Sequence, residues 1–139
     1  MTTQITNHNI ITDLNGIYSF LSDTYKTNIL YDGLEYRSVY DAYLIQHFAK
    51  EEDRKEITNT STEEFEAYIA NETYELRSQD ELDTLLPHIA KELNAIKFSD
   101  PSLAKKLIET SDATIIYKTP DYDLGEILMD IRSQLKSRN

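Results

Sequence analysis

The amino-acid sequence predicts a single α+β domain in which helices surround a small sheet. Three observations lead to this prediction: a hairpin pattern centred on Asp32-Gly33, amphipathic helical patterns after it, and a short β-type run at residues 114–117. The 139 residues, with a hydrophobic fraction of 40%, are enough for one domain with its own core. We expect residues 1–15 to form an extended lead-in and residues 16–139 to form the domain.

The hairpin is the first element that local chemistry predicts. Short apolar and aromatic runs at residues 28–31 and 34–36 lie on either side of Asp32-Gly33. This dipeptide tolerates the positive φ angles of a type I′ turn. Two short antiparallel strands are therefore expected to meet there.

Five helix starts follow, each with Ser or Asp at or next to the first turn. They lie near Ser38, Ser61, Asp80, Asp100 and Asp123. The first helix is expected over about residues 39–50, because Val39, Tyr43 and Phe48 recur at intervals near one and two helical turns. The second is expected to be short, since Asn71 and Thr73 weaken its continuation.

The clearest helical period begins near Asp80 and is a single apolar stripe of Leu82, Leu85, Leu86, Ile89, Leu93 and Ile96. Pro87 interrupts the stripe, which predicts either a kink or a fresh helix with Pro87 in its first turn. Asp100-Pro101 supplies a cap and a first-turn proline for the next helix. Residues 114–117 predict a buried strand, and the last helix ends among cations that complement its dipole.

The composition limits the classes of function. The 25 acidic and 14 basic residues give a net charge of −11, which repels a phosphate backbone, so direct binding to nucleic acid is not expected. Solubility is one explanation of the acidity. The sharper alternative is that the surface imitates nucleic acid and inhibits a nucleic-acid-binding protein.

Cysteine and histidine usage argues against a metal centre. The sequence has no cysteine, which excludes disulfide scaffolds, thiolate zinc sites and cysteine nucleophiles. His8, His47 and His88 are about 40 residues apart, without a pair at helical spacing. We therefore expect neither a metal site nor another cofactor.

The sequence also predicts a location away from membranes. No apolar run approaches the roughly 20 residues of a membrane helix. The segment Met1-Thr2-Thr3-Gln4 has no basic region followed by an apolar stretch, so no secretory signal is expected. A cytoplasmic protein is the resulting prediction.

Three stretches, in order over residues 16–135, resemble the NADAR family, also called YbiA-like. The first runs from Gly16–Leu21 through the Asp32-Gly33 hairpin to Tyr36–Val39, Ala42-Tyr43 and Phe48; the second is Lys97–Leu103; the third is Leu124–Arg132. The resemblance implies an α+β domain with a small sheet surrounded by helices. It also implies metal-independent N-glycosidase chemistry on phosphoribosyl or ADP-ribosyl compounds, which needs a carboxylate beside the anomeric carbon.

Several polar positions of the family pattern differ in this chain. Phe20 replaces an Asn, Tyr40-Asp41 replaces Glu-His, Leu44 replaces a Gln and His47 replaces a Lys. The chain has no Trp, and residues 118–123 join the late strand directly to the last helix, where the family has a longer loop. The leading interpretation is a degenerate, non-catalytic domain that acts through a protein partner, as a homo-oligomer or in an assembly. A viral origin would place it in the host cytoplasm or the virion.

In the alternative interpretation, the protein is a binder or an N-glycosidase of altered specificity for ADP-ribose-like or phosphoribosyl ligands. The missing carboxylate would then come from Asp41, Asp121 or Asp123, and Arg132 would hold phosphate. Three further side chains are candidates for ligand contact: Tyr18, Tyr40 and His47. Simpler readings stand beside each: a solvated helix acid for Asp41, an ion pair for Arg132, and packing for His47 and the tyrosines.

Overall fold

Residues 10–138 are described by the structure, a computed structural model, and they form an α+β arrangement as predicted. In chain order the elements are β1 (Ile10–Ile11), a 3₁₀ helix (Gly16–Leu21), β2 (Ile29–Tyr31), β3 (Leu34–Tyr36), α1 (Val39–Ile45), α2 (Glu51–Ile57), α3 (Thr62–Ala70), α4 (Gln79–Lys97), α5 (Pro101–Ile108), β4 (Thr114–Ile115) and α6 (Leu124–Ser137). His8 and most of the predicted lead-in lie outside the described residues.

The strands of the described region form two separate pairs. β2 and β3 are antiparallel, with Ile29 opposite Tyr36. Asp32 and Gly33 have φ angles of 52° and 79°, so the predicted hairpin turn is confirmed together with its left-handed backbone. β1 pairs in parallel with β4, placing Ile11 opposite Ile115. The end of the predicted lead-in is thus joined to the late strand.

Four of the predicted helix starts are confirmed as N-caps. The side chains of Ser38, Ser61, Asp100 and Asp123 each accept a hydrogen bond from a backbone N–H in the first turn. α4 begins at Gln79, one residue before the predicted Asp80. Its N-cap is Ser78, which forms a reciprocal capping box with Glu81.

The predicted helix over residues 39–50 is too long. α1 ends at Ile45, because the next segment pairs with an extended segment after α3. Ala49 donates its N–H to Glu75 O at 2.9 Å, and Arg77 donates its N–H to His47 O at 2.9 Å. A backbone committed to these long-range hydrogen bonds cannot continue as helix.

Two further helical features differ from expectation. α2 has no predicted counterpart, since Ile57 is its one buried residue. Its charges match the helix dipole instead, with three acids in the first turn and Arg54 and Lys55 in the last. α4 continues through Pro87 as one helix, so a fresh helix starting there is wrong. The buried stripe on either side of Pro87 holds α4 in place despite the lost backbone donor.

The buried side chains form two clusters. One lies among the 3₁₀ helix, the β1–β4 pair, α5 and α6. The other lies among the hairpin, α1, α3 and most of α4. Tyr122, between β4 and α6, packs against both clusters. The loop that carries Tyr122 is therefore at the junction of the two halves of the core.

Candidate functional site

A cleft of about 320 Å³ opens where α1, the segment after the 3₁₀ helix and the loop before α6 meet. Its lining side chains are mainly aromatic and polar. They are Ser22, Asp23, Thr24, Tyr40, Tyr43, Leu44, His47, Tyr117, Thr119, Pro120, Asp121, Tyr122 and Leu124.

One wall of the cleft is a face of α1 and of the turn that follows it. Tyr40, Tyr43, Leu44 and His47 are spaced three and four residues apart, so they lie side by side on one helical face. The Tyr43 ring is 5.6 Å from the His47 ring, centroid to centroid, at an interplanar angle of 82°. This edge-to-face contact fixes the direction of both rings.

A second, adjoining wall is the loop of residues 117–124. The Thr119 hydroxyl oxygen accepts the backbone N–H groups of Asp121 and Tyr122, at 3.2 and 3.1 Å. The N–H of Thr119 in turn donates to Tyr122 O at 2.9 Å. These bonds close a tight turn that directs both the carboxylate and the tyrosine ring at the cleft wall.

Gly125 anchors the far end of this loop. A Cβ atom there would lie 2.1 Å from Ile115 O, so only glycine permits α6 to approach β4 this closely. The Gly125 N–H donates to Tyr117 O at 2.9 Å. The short connection between strand and helix therefore depends on a residue without a side chain.

Asp23 is the buried carboxylate of the site, with 7% of its surface exposed. Its Oδ2 accepts a short hydrogen bond from the Tyr122 hydroxyl. Burial raises the pKa of Asp23, while the Tyr122 bond, the charge of Lys97 and the nearby Asn94 amide act in the opposite direction. No hydrogen bond of normal geometry reaches Asp23 Oδ1 from the described residues.

Lys97 is buried close to Asp23 and does not line the cleft. It is 2% exposed, and its Nζ donates to Ser22 O at 2.7 Å. Burial lowers the pKa of Lys97 to about 8, although the charge of Asp23 raises it. The lysine therefore holds the backbone that carries Asp23 and partly balances its charge.

Asp121 is the second acid of the cleft and is exposed. Its Oδ2 accepts a short hydrogen bond from the Tyr43 hydroxyl. The pKa of Tyr43 is raised, first by burial and then by this bond and the Asp121 charge. The Tyr43 ring also meets the Tyr122 ring at 5.4 Å and 64°, so the two Tyr–Asp pairs lie next to each other.

The structure brings some of the sequence-predicted residues together. Tyr40, His47 and Asp121 line the cleft. The Tyr40 hydroxyl donates to Glu66 Oε2 at 2.7 Å, and burial together with this bond raises its pKa to about 12. His47 Nδ1 lies 2.9 Å from Leu44 O, which uses one ring nitrogen within its own turn.

The other candidates lie elsewhere. Asp41 is 1% exposed, so the reading as a solvated acid is wrong; it bonds Arg37 Nη2 at 3.1 Å and accepts the Thr62 hydroxyl. Asp123 caps α6 by accepting the Glu126 N–H at 3.0 Å. Tyr18 packs against the first core cluster.

Arg132 is also a structural side chain. Its guanidinium donates to Thr110 Oγ1 and to Ala113 O, both at 2.8 Å. These partners are a hydroxyl and a backbone carbonyl, in place of the expected acid. Arg132 thereby fastens α6 to the loop between α5 and β4, and it does not line the cleft.

Sequence reasoning missed Asp23, Tyr43 and Tyr122 as site residues. Asp23 and Tyr122 are 99 positions apart, and Tyr43 and Asp121 are 78 apart, so no local spacing links the partners. The one available signal was the Ser22-Asp23-Thr24 turn directly after the buried pair Phe20-Leu21.

The acidic side chains of the cleft are not balanced by basic ones. Among residues 10–138, two carboxylates line it, and no Lys or Arg does. Over the same residues no group of three or more metal-ligating side chains is present. No helix in the described part of the chain has the length and hydropathy needed to cross a bilayer.

Comparison with known proteins gives one informative likeness. No protein-family model and no curated protein matches the sequence. The structure resembles the NMR structure of the E. coli protein YbiA, at 21% sequence identity and a TM-score of 0.72, with coverage of 93% of this chain and 86% of that one. This likeness agrees with the three sequence stretches quoted above, and it establishes that the protein has the YbiA-like fold.

Proposed function

We propose that this protein is a non-catalytic binding domain that holds a small aromatic ligand, about the size of a nucleoside, in the cleft. One observation carries the proposal: both carboxylates of the cleft already accept tyrosine hydroxyls, and no cation among the described residues lines it. The arrangement suits recognition of a ring better than cleavage of a bond to ribose.

Hydrolysis of an N-glycosidic bond needs an ionised carboxylate free to face the anomeric carbon. Burial favours the neutral form of Asp23, and the Tyr122 hydroxyl occupies one of its oxygens. The Asp121 carboxylate is engaged by Tyr43. Neither acid is therefore free to act as the base that activates water at the anomeric carbon.

Phosphorylated ligands lack a cationic partner among the described residues that line the cleft. Phosphate is usually held by Arg or Lys, most firmly when Arg binds it through two N–H groups. Arg132 is committed to Thr110 and Ala113, and Lys97 to Ser22 O. A nucleoside therefore fits this site better than ADP-ribose does.

The lining favours an aromatic ligand. Four tyrosines line the cleft, and tyrosine combines a large apolar face with one hydroxyl. The volume of about 320 Å³ lies at the small end of ligand sites, which span roughly 300–1,000 Å³.

Calorimetry with adenosine, uridine and ADP-ribose tests this proposal, together with an assay for released ribose. We expect a nucleoside to bind, ADP-ribose to bind more weakly, and no ribose to be released. Tyr117→Ala should weaken binding about tenfold, within the range for loss of one stacking ring. Leu30→Ala, at an exposed apolar position outside the cleft, is the control. Release of ribose, or no binding at millimolar nucleoside, would contradict the proposal.

A protein partner is the second candidate, and a small exposed patch favours it. Ile10, Ile116 and Tyr117 are 54%, 51% and 41% exposed. They are neighbours, because the Ile116 N–H donates to Ile11 O beside the β1–β4 pair. We expect light scattering after size-exclusion chromatography to show a dimer through this patch, and Ile116→Lys to make it monomeric. A wild-type monomer at all concentrations would contradict self-association.

A further inference from the structure

We propose that the cleft selects a ligand whose aromatic ring carries a positive charge, such as an N-alkylated or otherwise cationic heterocycle of nucleoside size. This inference rests on the proposed function and adds the charge of the ligand to it. It stands on the arrangement of the rings, the placement of the charges and one unused acceptor.

The rings form adjoining walls. Tyr122 and His47 each meet the Tyr43 ring at a steep angle, 64° and 82°, with centroids 5.4 and 5.6 Å apart. Rings so arranged cannot lie in one plane, and the more exposed rings of Tyr40 and Tyr117 line the cleft beside them. The face of an aromatic ring attracts a cation that lies within about 6 Å of its centre, and steeply inclined rings allow more than one such contact.

The charged groups of the lining have the sign that a cation requires. Asp121 is the exposed acid of the lining, and the buried Asp23 belongs to the same cleft. Lys97, the cation nearest to Asp23 in the site, lies behind the wall and donates to Ser22 O. Partial burial strengthens the attraction, because the effective dielectric constant in a cleft is lower than in water. The same field opposes an anionic ligand.

Asp23 also keeps unused acceptor capacity. Its side chain is buried, and its Oδ1 has no hydrogen bond from the described residues. A buried polar atom without a partner costs free energy, and natural proteins keep few of them. The unpaired Oδ1 adds a partial negative charge beneath the surface of the cleft. The hydroxyls of Tyr43 and Tyr122 donate to the two carboxylates, so these hydroxyls do not face a cationic ligand as donors.

Two isomeric nucleosides separate charge from shape. 1-Methyladenosine is protonated and cationic at neutral pH, whereas N6-methyladenosine has the same heavy atoms and is neutral. Titration calorimetry at pH 7 should show the cation binding at least about tenfold more tightly, as expected for a ring contact reinforced by a nearby carboxylate. Asp121→Asn, which keeps an oxygen for Tyr43, should reduce this preference to about threefold or less.

Asp123→Asn is the matched control. It removes the same charge two positions away, outside the cleft, and asparagine caps helices as well as aspartate does. The preference should survive there, and circular dichroism should show both variants folded. Equal binding of the two isomers would overturn the charge selection and leave the proposed function standing. If neither nucleoside binds, the charge selection and the proposed function are both overturned. A preference that is unchanged in Asp121→Asn would overturn the charge selection alone.

Discussion

Lys97 and Asp23 are neighbouring buried titratable residues at the cleft, and their pKa values depart from the ordinary ones in ways that set pH dependence. The pKa of Lys97 falls from 10.5 to about 8 on folding, mainly through burial. Between these values the unfolded chain binds more protons than the folded chain. The free energy of unfolding should therefore rise with pH from about 8 to 10.5, by roughly 3 kcal/mol from this group alone.

Lys97→Met should abolish most of that rise, since no proton is then released from this position. Urea denaturation at several pH values across the same window measures it. Lys91→Met, an exposed position of α4, should retain the full rise. An unchanged pH profile in Lys97→Met would show that the lysine is hydrated in the folded state.

Asp23 acts in the opposite direction at acid pH. Its pKa in the folded chain is raised above 3.8, so at acid pH the folded chain binds a proton at Asp23 more firmly than the unfolded chain does. The stability that this group contributes is lost as the pH rises through its folded pKa. Asp23→Asn should remove that loss, because the amide does not titrate. Urea midpoints at successive pH values from 3 upward measure the effect, and a variant that keeps the wild-type slope contradicts it.

Asp41 distinguishes a structural acid from a catalytic one. It is buried and bonded to Arg37 and Thr62. Asp41→Ala should lower the free energy of unfolding by about 2–4 kcal/mol, because the Arg37 guanidinium and the Thr62 hydroxyl lose the buried acceptor that they share. The affinity for the nucleoside, measured without denaturant, should stay unchanged. Glu63→Ala, at an exposed position of α3, is the stability control, and a lost affinity with unchanged stability would refute this assignment.

At the scale of the element, the contact between β4 and α6 decides the shape of the cleft loop. Gly125→Ala would place a methyl group 2.1 Å from Ile115 O, an overlap with backbone that no rotamer relieves. We expect a loss of at least about 1–3 kcal/mol, the usual cost of overpacking. Thermal unfolding measures it, and nucleoside binding should weaken as the loop shifts. Ser133→Ala, on the exposed face of α6, should change neither.

At the scale of the whole molecule, the net charge of −11 opposes compaction. Screening shortens the reach of this field from about 30 Å at 0.01 M salt to about 8 Å at 0.15 M. The unfolding midpoint should therefore rise as sodium chloride is added over this range. A midpoint that falls would show that attractive ion pairs outweigh the repulsion.

Imitation of nucleic acid remains a prediction at the same scale. The described acids are spread over α2, α3, α4 and the loops, with Arg54 and Lys55 among them. If the surface acts as a decoy, its affinity for a basic nucleic-acid-binding domain should fall steeply with salt. Competition of the protein with a labelled oligonucleotide, at low and high salt, measures this. Affinity independent of salt would exclude the hypothesis.

Local chemistry in the sequence determined the elements whose signals lie within a few residues. Asp32-Gly33 set the hairpin because both residues adopt positive φ, and Ser38, Ser61, Asp100 and Asp123 set helix starts because each side chain bonds an N–H of its own first turn. The YbiA-like fold was indicated separately, by the resemblance of three ordered stretches of the sequence to the NADAR family.

Tertiary structure alone decided the end of α1, the site and the pKa shifts of Asp23 and Lys97. Residues 47–49 leave the helix because they bond to residues 75–77, which local propensity does not encode. Asp23 meets Tyr122 and Asp121 meets Tyr43 across separations of 99 and 78 positions. Burial, which shifts the pKa values of Asp23 and Lys97, arises only when distant elements exclude water together, so it cannot be derived from residue spacing.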